Sequence, residues 1–311
     1  MIWLSWRQFR AQGVTACVAL VPFAAFVVWT GLRLRDDCAA ECVRAFQGRL
    51  YLLDAVLLAL PAVLGMFWGA PLVARELEAG THRTVWNQSV SRRRWLLVKL
   101  LFTAACAAVL AGACSALLTW AAAPYDRLAA DRFTALIFGA RNVAPVAYAA
   151  FAVVLGALLG LVLRRTLPAM ALTAAAFVAV QVAMPTLVRP HLVPPVTADA
   201  RMTVEVLRNL RFLGADASIE GLSVPGGWVT STSKMRRSNG DPVDLAHYGS
   251  CISASPDLAS QCIAALDLHV RAEYQPAGRY WRFQWLEVGL FAAMTATAGA
   301  LGLWRVRRRP D

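Results

Sequence analysis

Apolar and charged positions alternate along this chain on a long scale. No Asp, Glu, Lys or Arg occurs in Ala11–Leu32, Ala55–Ala74, Leu100–Tyr125, Asn142–Leu163, Thr166–Val188 or Val288–Trp304. A helix needs about 20 residues to cross a ~30 Å hydrocarbon core, and one charge at the bilayer centre costs at least ~2.5 to 3.5 kcal/mol on insertion scales. Five of the runs suffice alone, and the sixth borrows its flank, Arg282–Glu287. Another charge-free stretch, Gly221–Ser233, contains Pro225, Gly226 and Gly227 and reads as a turn. Trp29, Trp68, Trp95, Trp120, Trp285 and Trp304 fall near the predicted helix ends, where an amphipathic ring prefers the headgroup level. The pattern predicts an all-α integral membrane protein with six transmembrane helices.

Residues 11–188 hold the first five helices, with a loop at 75–99; residues 283–304 form the sixth, and 305–311 are a basic tail. Between them, 189–282 reads as a small domain outside the lipid. Pro190, Pro194 and Pro195 open it, and Thr203–Leu213 predicts a helix with Val204, Leu207, Leu210 and Leu213 on one side. Ser, Gly, Asn and Pro crowd Ser218–Asp244, which predicts a mobile middle.

Charge sets the expected orientation. Arg7, Arg10, Arg75, Arg83, Arg92, Arg93, Arg94, Lys99, Arg164, Arg165 and the tail arginines outnumber Arg33, Arg35, Arg44, Arg49, Arg127, Arg132 and Arg141 of the opposite loops. Cytoplasmic loops carry the excess of basic residues, so both termini are expected in the cytoplasm of a plasma-membrane protein, with 189–282 extracytoplasmic. The chain is 58% hydrophobic and 16% charged, against roughly 25% charged in soluble domains. Its net charge of +12 sits at the ends of apolar runs rather than on one folded face, which argues against nucleic acid as a partner.

Cys38, Cys42, Cys251 and Cys262 all fall in the predicted outer segments, where oxidation is possible. Local pairs, Cys38 with Cys42 and Cys251 with Cys262, are preferred; cross-links between the loops and free thiols remain alternatives. His247 and His269 near the second pair lack a standard metal-ligand spacing. Neither Lys99 nor Lys234 completes a P-loop, and G-x-S-x-G and HExxH are absent, so neither an enzyme nor a bound cofactor is expected. Three polar residues at or in the spans remain. Asp54 and Glu287 are expected at outer helix ends, reaching headgroups or water, and Gln181 to bond a neighbouring helix or to touch a substrate.

The connection after the second span has its own logic. Gly80 can end the helix in a left-handed conformation, Thr81 can cap a short amphipathic helix carrying Val85 and Trp86, and Ser91 can cap the third span. Such an element suits docking into a groove on another protein.

Gly69–Arg83, Trp86–Arg92 and Arg94–Leu96 together resemble the signature of actinobacterial ABC-2-type transporter permeases. Trp3–Arg10 and Tyr274–Glu287 are similar to two further blocks of that family. The resemblance implies a coupling helix that fits a separate ABC ATPase subunit, carried here by Arg75, Glu76, Glu78, Gly80, Thr81, His82, Arg83, Trp86, Gln88 and Ser91. It also implies a cytoplasmic interfacial helix over residues 1–10, a second permease subunit in a homo- or heterodimer, and export. The family usually has short helices between the fifth and sixth spans; the long 189–282 segment departs from that. The alternative function is a membrane-anchored sensor or assembly factor whose extracytoplasmic domain binds a ligand.

Overall fold

The computed structural model describes residues 2–36, 40–80, 91–129, 132–224, 226–253 and 255–308. It divides into two compact units, the first made of 1–129, 134–189 and 281–311, the second of 130–133 and 190–280.

The first unit is helical, and six of its helical stretches are long and apolar enough to cross a membrane: 13–35, 45–78, 92–127, 144–163, 166–191 and 277–308. Its helices are α1 (Ile2–Asp36), α2 (Ala40–Leu64), α3 (Ala70–Glu78), α4 (Arg92–Ala129), α5 (Ala135–Ala140), α6 (Ala144–Leu163) and α7 (Thr166–Ala183). α1 runs unbroken, so residues 2–10 are helical and continuous with the first apolar helix.

α2 and α3 are joined by a π-helical turn, Gly65–Gly69, just after Pro61, whose ring and missing N–H disturb the regular ladder. This turn lies backbone to backbone against α6. A Cβ on Gly69 would come within 2.4 Å of the Val153 carbonyl oxygen, one on Gly156 within 2.5 Å of Gly65 O, and one on Gly160 within 2.5 Å of Ala70 O. Gly65 to Gly69 and Gly156 to Gly160 are thus two facing G-x-x-x-G pairs, the spacing that lets apolar helices approach closely. Around that seam, Tyr148, Phe151, Phe177 and the Phe291 ring form one aromatic core, with Phe151 edge-on to Phe291 at 5.4 Å.

The second unit corrects the all-α expectation. It carries a four-stranded antiparallel sheet in the order β1 (Val196–Arg201), β6 (Leu268–Gln275), β4 (Trp228–Thr232), with β5 (Arg236–Arg237) also on β6, and a separate ribbon of β2 (Phe212–Leu213) and β3 (Ile219–Glu220). Three short helices accompany it: α8 (Val204–Arg208), α9 (Leu245–Ile252) and α10 (Pro256–Ala265). The helix expected over Thr203–Leu213 stops at Arg208, because Arg211 N bonds Glu220 O and Phe212–Leu213 pairs with β3. The supposedly mobile Ser218–Asp244 supplies β3, β4 and β5. On β6, Leu268, Val270 and Ala272 point into a core with Met202, Ile219, Tyr248 and Ile263, while α9 and α10 are joined by a Cys251–Cys262 disulfide with Cα atoms 5.5 Å apart. α11 (Tyr280–Arg308) returns the chain to the first unit.

Candidate functional site

The connection between α3 and α4 is held at both feet. α3 ends as Ala79 N bonds Arg75 O at 3.0 Å and Gly80 turns left-handed at φ +72°. Thr81, His82, Arg83, Trp86 and Gln88 lie outside the described residues. The chain re-enters at Ser91, whose Oγ accepts a long bond from Arg94 N at 3.4 Å and whose carbonyl accepts from Trp95 N. These bonds satisfy donors that every helix start leaves orphaned.

Two carboxylates tie α3 to its neighbours. The Lys99 ammonium, itself 4.8 Å from the Trp95 ring centre, donates to the Glu76 carboxylate and so links α3 to α4. Glu78 accepts from Thr166 N at 3.1 Å and Thr166 Oγ1 at 2.6 Å, placing a negative charge at the start of α7 where the helix dipole favours it. Glu76 therefore turns toward the bundle, while Glu78 bonds the start of α7 at the surface and Arg75 is exposed beside them. Charged bonds thus join α3 to α4 and to α7.

The opposite end of the first unit holds two buried ion clusters, each built from residues far apart in the chain. The Arg141 guanidinium is bidentate on Asp54, with Nε at 2.8 Å and Nη2 at 2.7 Å, and its Nη1 donates to Asp126. Arg189 contacts Glu287 through Nε at 3.0 Å and Nη2 at 3.2 Å, lies 3.9 Å over the Phe138 ring, and shares Glu287 with the donating Tyr148 hydroxyl. Asp54 and Glu287 have no exposed surface, so they do not reach headgroups or water as expected. Their burial is tolerable because each is paired and hydrogen-bonded.

The same end contains non-helical backbone whose polar groups find protein partners. Gln284 accepts from Ala144 N and donates to Phe138 O, both at 3.1 Å. Asn142, at φ 62°, donates its N–H to Thr119 Oγ1 while its carbonyl accepts from Ser115 Oγ at 2.9 Å. Irregular backbone at membrane depth needs such satisfaction. Gln181 lies near Gly139, and its Oε1 accepts no hydrogen bond among the described residues.

Of the cysteines, Cys38 and the Cys42 side chain lie outside what is described. Among the described residues, no group of three His, Cys, Asp or Glu could hold a metal, and His269 contacts Asp199 at 3.1 Å.

Six long apolar helices, facing glycines and, among the described residues, charges buried as pairs define a multi-pass membrane protein. The family described as ABC-2 membrane transporter related matches residues 6–189 of the 311, and the chain belongs to it. Members of that family are membrane components of transporters that work with ABC ATPase partners. No curated protein and no solved structure matches the chain.

Proposed function

We propose that this chain is the membrane-spanning subunit of an ATP-driven exporter, energised by a separate ATPase subunit that grips the 79–91 connection. The observation that carries this reading is the clamp at the connection's feet, Glu76 on Lys99 and Glu78 on Thr166, in a chain whose sequence has no P-loop. Glu76 and Glu78 here position the coupling element, and Arg75 with residues 81–90 meets the partner. Movement of the ATPases would rock α3, α4 and α7 as one body against a second permease subunit, alternating access across the membrane. In this reading both termini and the connection are cytoplasmic, the membrane is the plasma membrane, and residues 190–280 are outside, which accords with the disulfide there.

The test is co-expression with the ATPase encoded beside it. The intact chain should co-purify with that ATPase and stimulate its hydrolysis, and replacing residues 81–90 by a Gly-Ser linker should abolish both. An intact chain that neither binds nor stimulates would sink the reading. The separate hydrophobic core of the second unit supports one other reading, a sensor whose outer domain binds a ligand. That reading requires signalling that persists without any ATPase.

A further inference from the structure

At the connection end of the first unit, a cleft of about 530 Å³ opens between the start of α4 and the end of α11. Its lining is Ser91, Arg93, Arg94 and Leu97 on one side and Ala300, Leu303 and Trp304 on the other. The spacings explain its two-faced chemistry. Leu97 lies four and three residues beyond Arg93 and Arg94 on one stripe of α4, and Leu303 and Trp304 lie three and four residues beyond Ala300 on α11. Hence two guanidinium groups stand at the first turn of one helix, and the wall deeper along both helices is hydrocarbon. Arg308 adds a third cation, 4.3 Å over the Trp304 ring, and no acidic residue among the described ones lines the cleft.

Arg93 and Arg94 are exposed, and no ion pair or hydrogen bond engages either guanidinium among the described residues. This contrasts with Lys99, Arg141 and Arg189 of the same unit, each matched to a carboxylate. An arginine forks onto phosphate oxygens in two parallel bonds, and a Trp at a helix end marks the headgroup level.

We propose that this cleft binds an anionic phospholipid of the leaflet on the side of the chain termini. The phosphate sits between Arg93, Arg94 and Arg308, and one acyl chain runs along Leu97, Ala300 and Leu303. The charge of the rim selects a net negative headgroup, and the apolar wall selects a lipid over a free phosphate. The proposal rests on the six helices being membrane spans and not on coupling to an ATPase. By occupying the start of α4, the lipid would also fix one foot of the connection.

The experiment is retained-lipid analysis by native mass spectrometry of the full chain, purified from nanodiscs of phosphatidylcholine with and without phosphatidylglycerol. Wild type should keep phosphatidylglycerol through delipidation. Each basic residue near a membrane surface contributes about fivefold, so Arg93→Gln with Arg94→Gln should lower that retention roughly twenty-five-fold while phosphatidylcholine retention stays level. Ala300→Trp, on an exposed position, should also lower it by filling the wall, and serves if the double variant fails to fold. Unchanged phosphatidylglycerol retention in both variants would overturn the proposal. So would displacement of the lipid by inorganic phosphate alone, or a double variant that loses a bound ATPase but no lipid. A wild type that stays in solution without detergent and retains no lipid of either kind would instead overturn the membrane reading beneath it.

Discussion

In the first unit the Arg141–Asp54 and Arg189–Glu287 pairs are hidden, with no side chain more than 2% exposed. In the second unit the Arg208–Asp257 and Lys234–Asp216 pairs leave more than half of every side chain in solvent. Apolar groups show the reverse. Leu101, Val109 and Leu167 of the first unit are 62%, 72% and 78% exposed, whereas Leu268, Val270 and Ile263 of the second lie at or below 1%. One chain thus contains two solvation regimes. In lipid a charge must find a protein partner, since no water will take it; in water it needs none.

The sharpest way to break this comparison is to remove one member of a buried pair. Arg141→Leu leaves Asp54 and Asp126 facing each other without a cation and should destabilise the full chain by about 3–5 kcal/mol. Arg208→Leu in the second unit should cost no more than about 1 kcal/mol. Thermal unfolding in detergent measures both, and equal shifts would show that the two regimes are not distinct. Combining Asp54→Leu with Arg141→Leu should recover part of the loss, because Asp126, 12% exposed, is then the one carboxylate of that cluster left without its cation.

Next in size is the disulfide, which closes a short loop with a sequence separation of 11. Cys251→Ser with Cys262→Ser should cost about 2–3 kcal/mol by loop-closure entropy. Hydrogen exchange should report the loss in residues 190–280 and leave the α3 and α6 seam unchanged. Exchange that rises equally in both units would mean that they unfold as one.

The glycine seam offers a smaller change. Gly156→Ala places a methyl 2.5 Å from Gly65 O, so α6 and the π turn must separate, at about 1–3 kcal/mol. Gly289→Ala meets nothing within 4 Å and should be neutral or stabilising by up to about 1 kcal/mol. Unfolding midpoints that move the same way for both would remove the close approach as an explanation.

How much of this was legible in the sequence follows the same division. The charge-free runs located all six long helices, because a span's signal is local and composed of its own residues. Arg141 and Arg189 were invisible as pairing groups: each ends an apolar run and looks like an interfacial charge. Their partners Asp54 and Glu287 lie 87 and 98 positions away, a distance that no pattern along the chain spans. The two G-x-x-x-G pairs were readable as spacing but not as facing partners. In the second unit, Leu268, Val270, Ala272 and Tyr274 alternate with His269, Arg271 and Glu273, a period-two signal for β6 that charge-free runs do not contain. At the candidate site, the Gly80 and Ser91 boundaries could be read from residue type. The bonds of Glu76 and Glu78 could not, since Lys99 and Thr166 come from other helices.

The smallest expected effect concerns two titrating groups of the second unit. Burial, with the Asp216 charge behind it, pushes the Tyr248 hydroxyl up to about 12, and that hydroxyl donates to Gly214 O at 3.1 Å. An unfolded tyrosine ionises near ~10, so the stability of this unit should be level below that pH and fall as pH rises from there toward the folded value. Asp216 titrates in the opposite sense. Bonds from Lys234 first and Ser218 second hold its carboxyl well below the usual range, so its contribution is present above ~3.9 and is lost as pH falls through the folded value. Asp216→Asn should therefore flatten the acid limb but shift the alkaline limb only slightly, because burial is the larger cause at Tyr248. Near-ultraviolet circular dichroism of thermal unfolding across pH, with Tyr248→Phe as reference, separates the two. If Asp216→Asn moved the alkaline limb as far as Tyr248→Phe does, charge would outweigh burial there, and the second unit's interior would resemble the first's more closely than its exposed ion pairs imply.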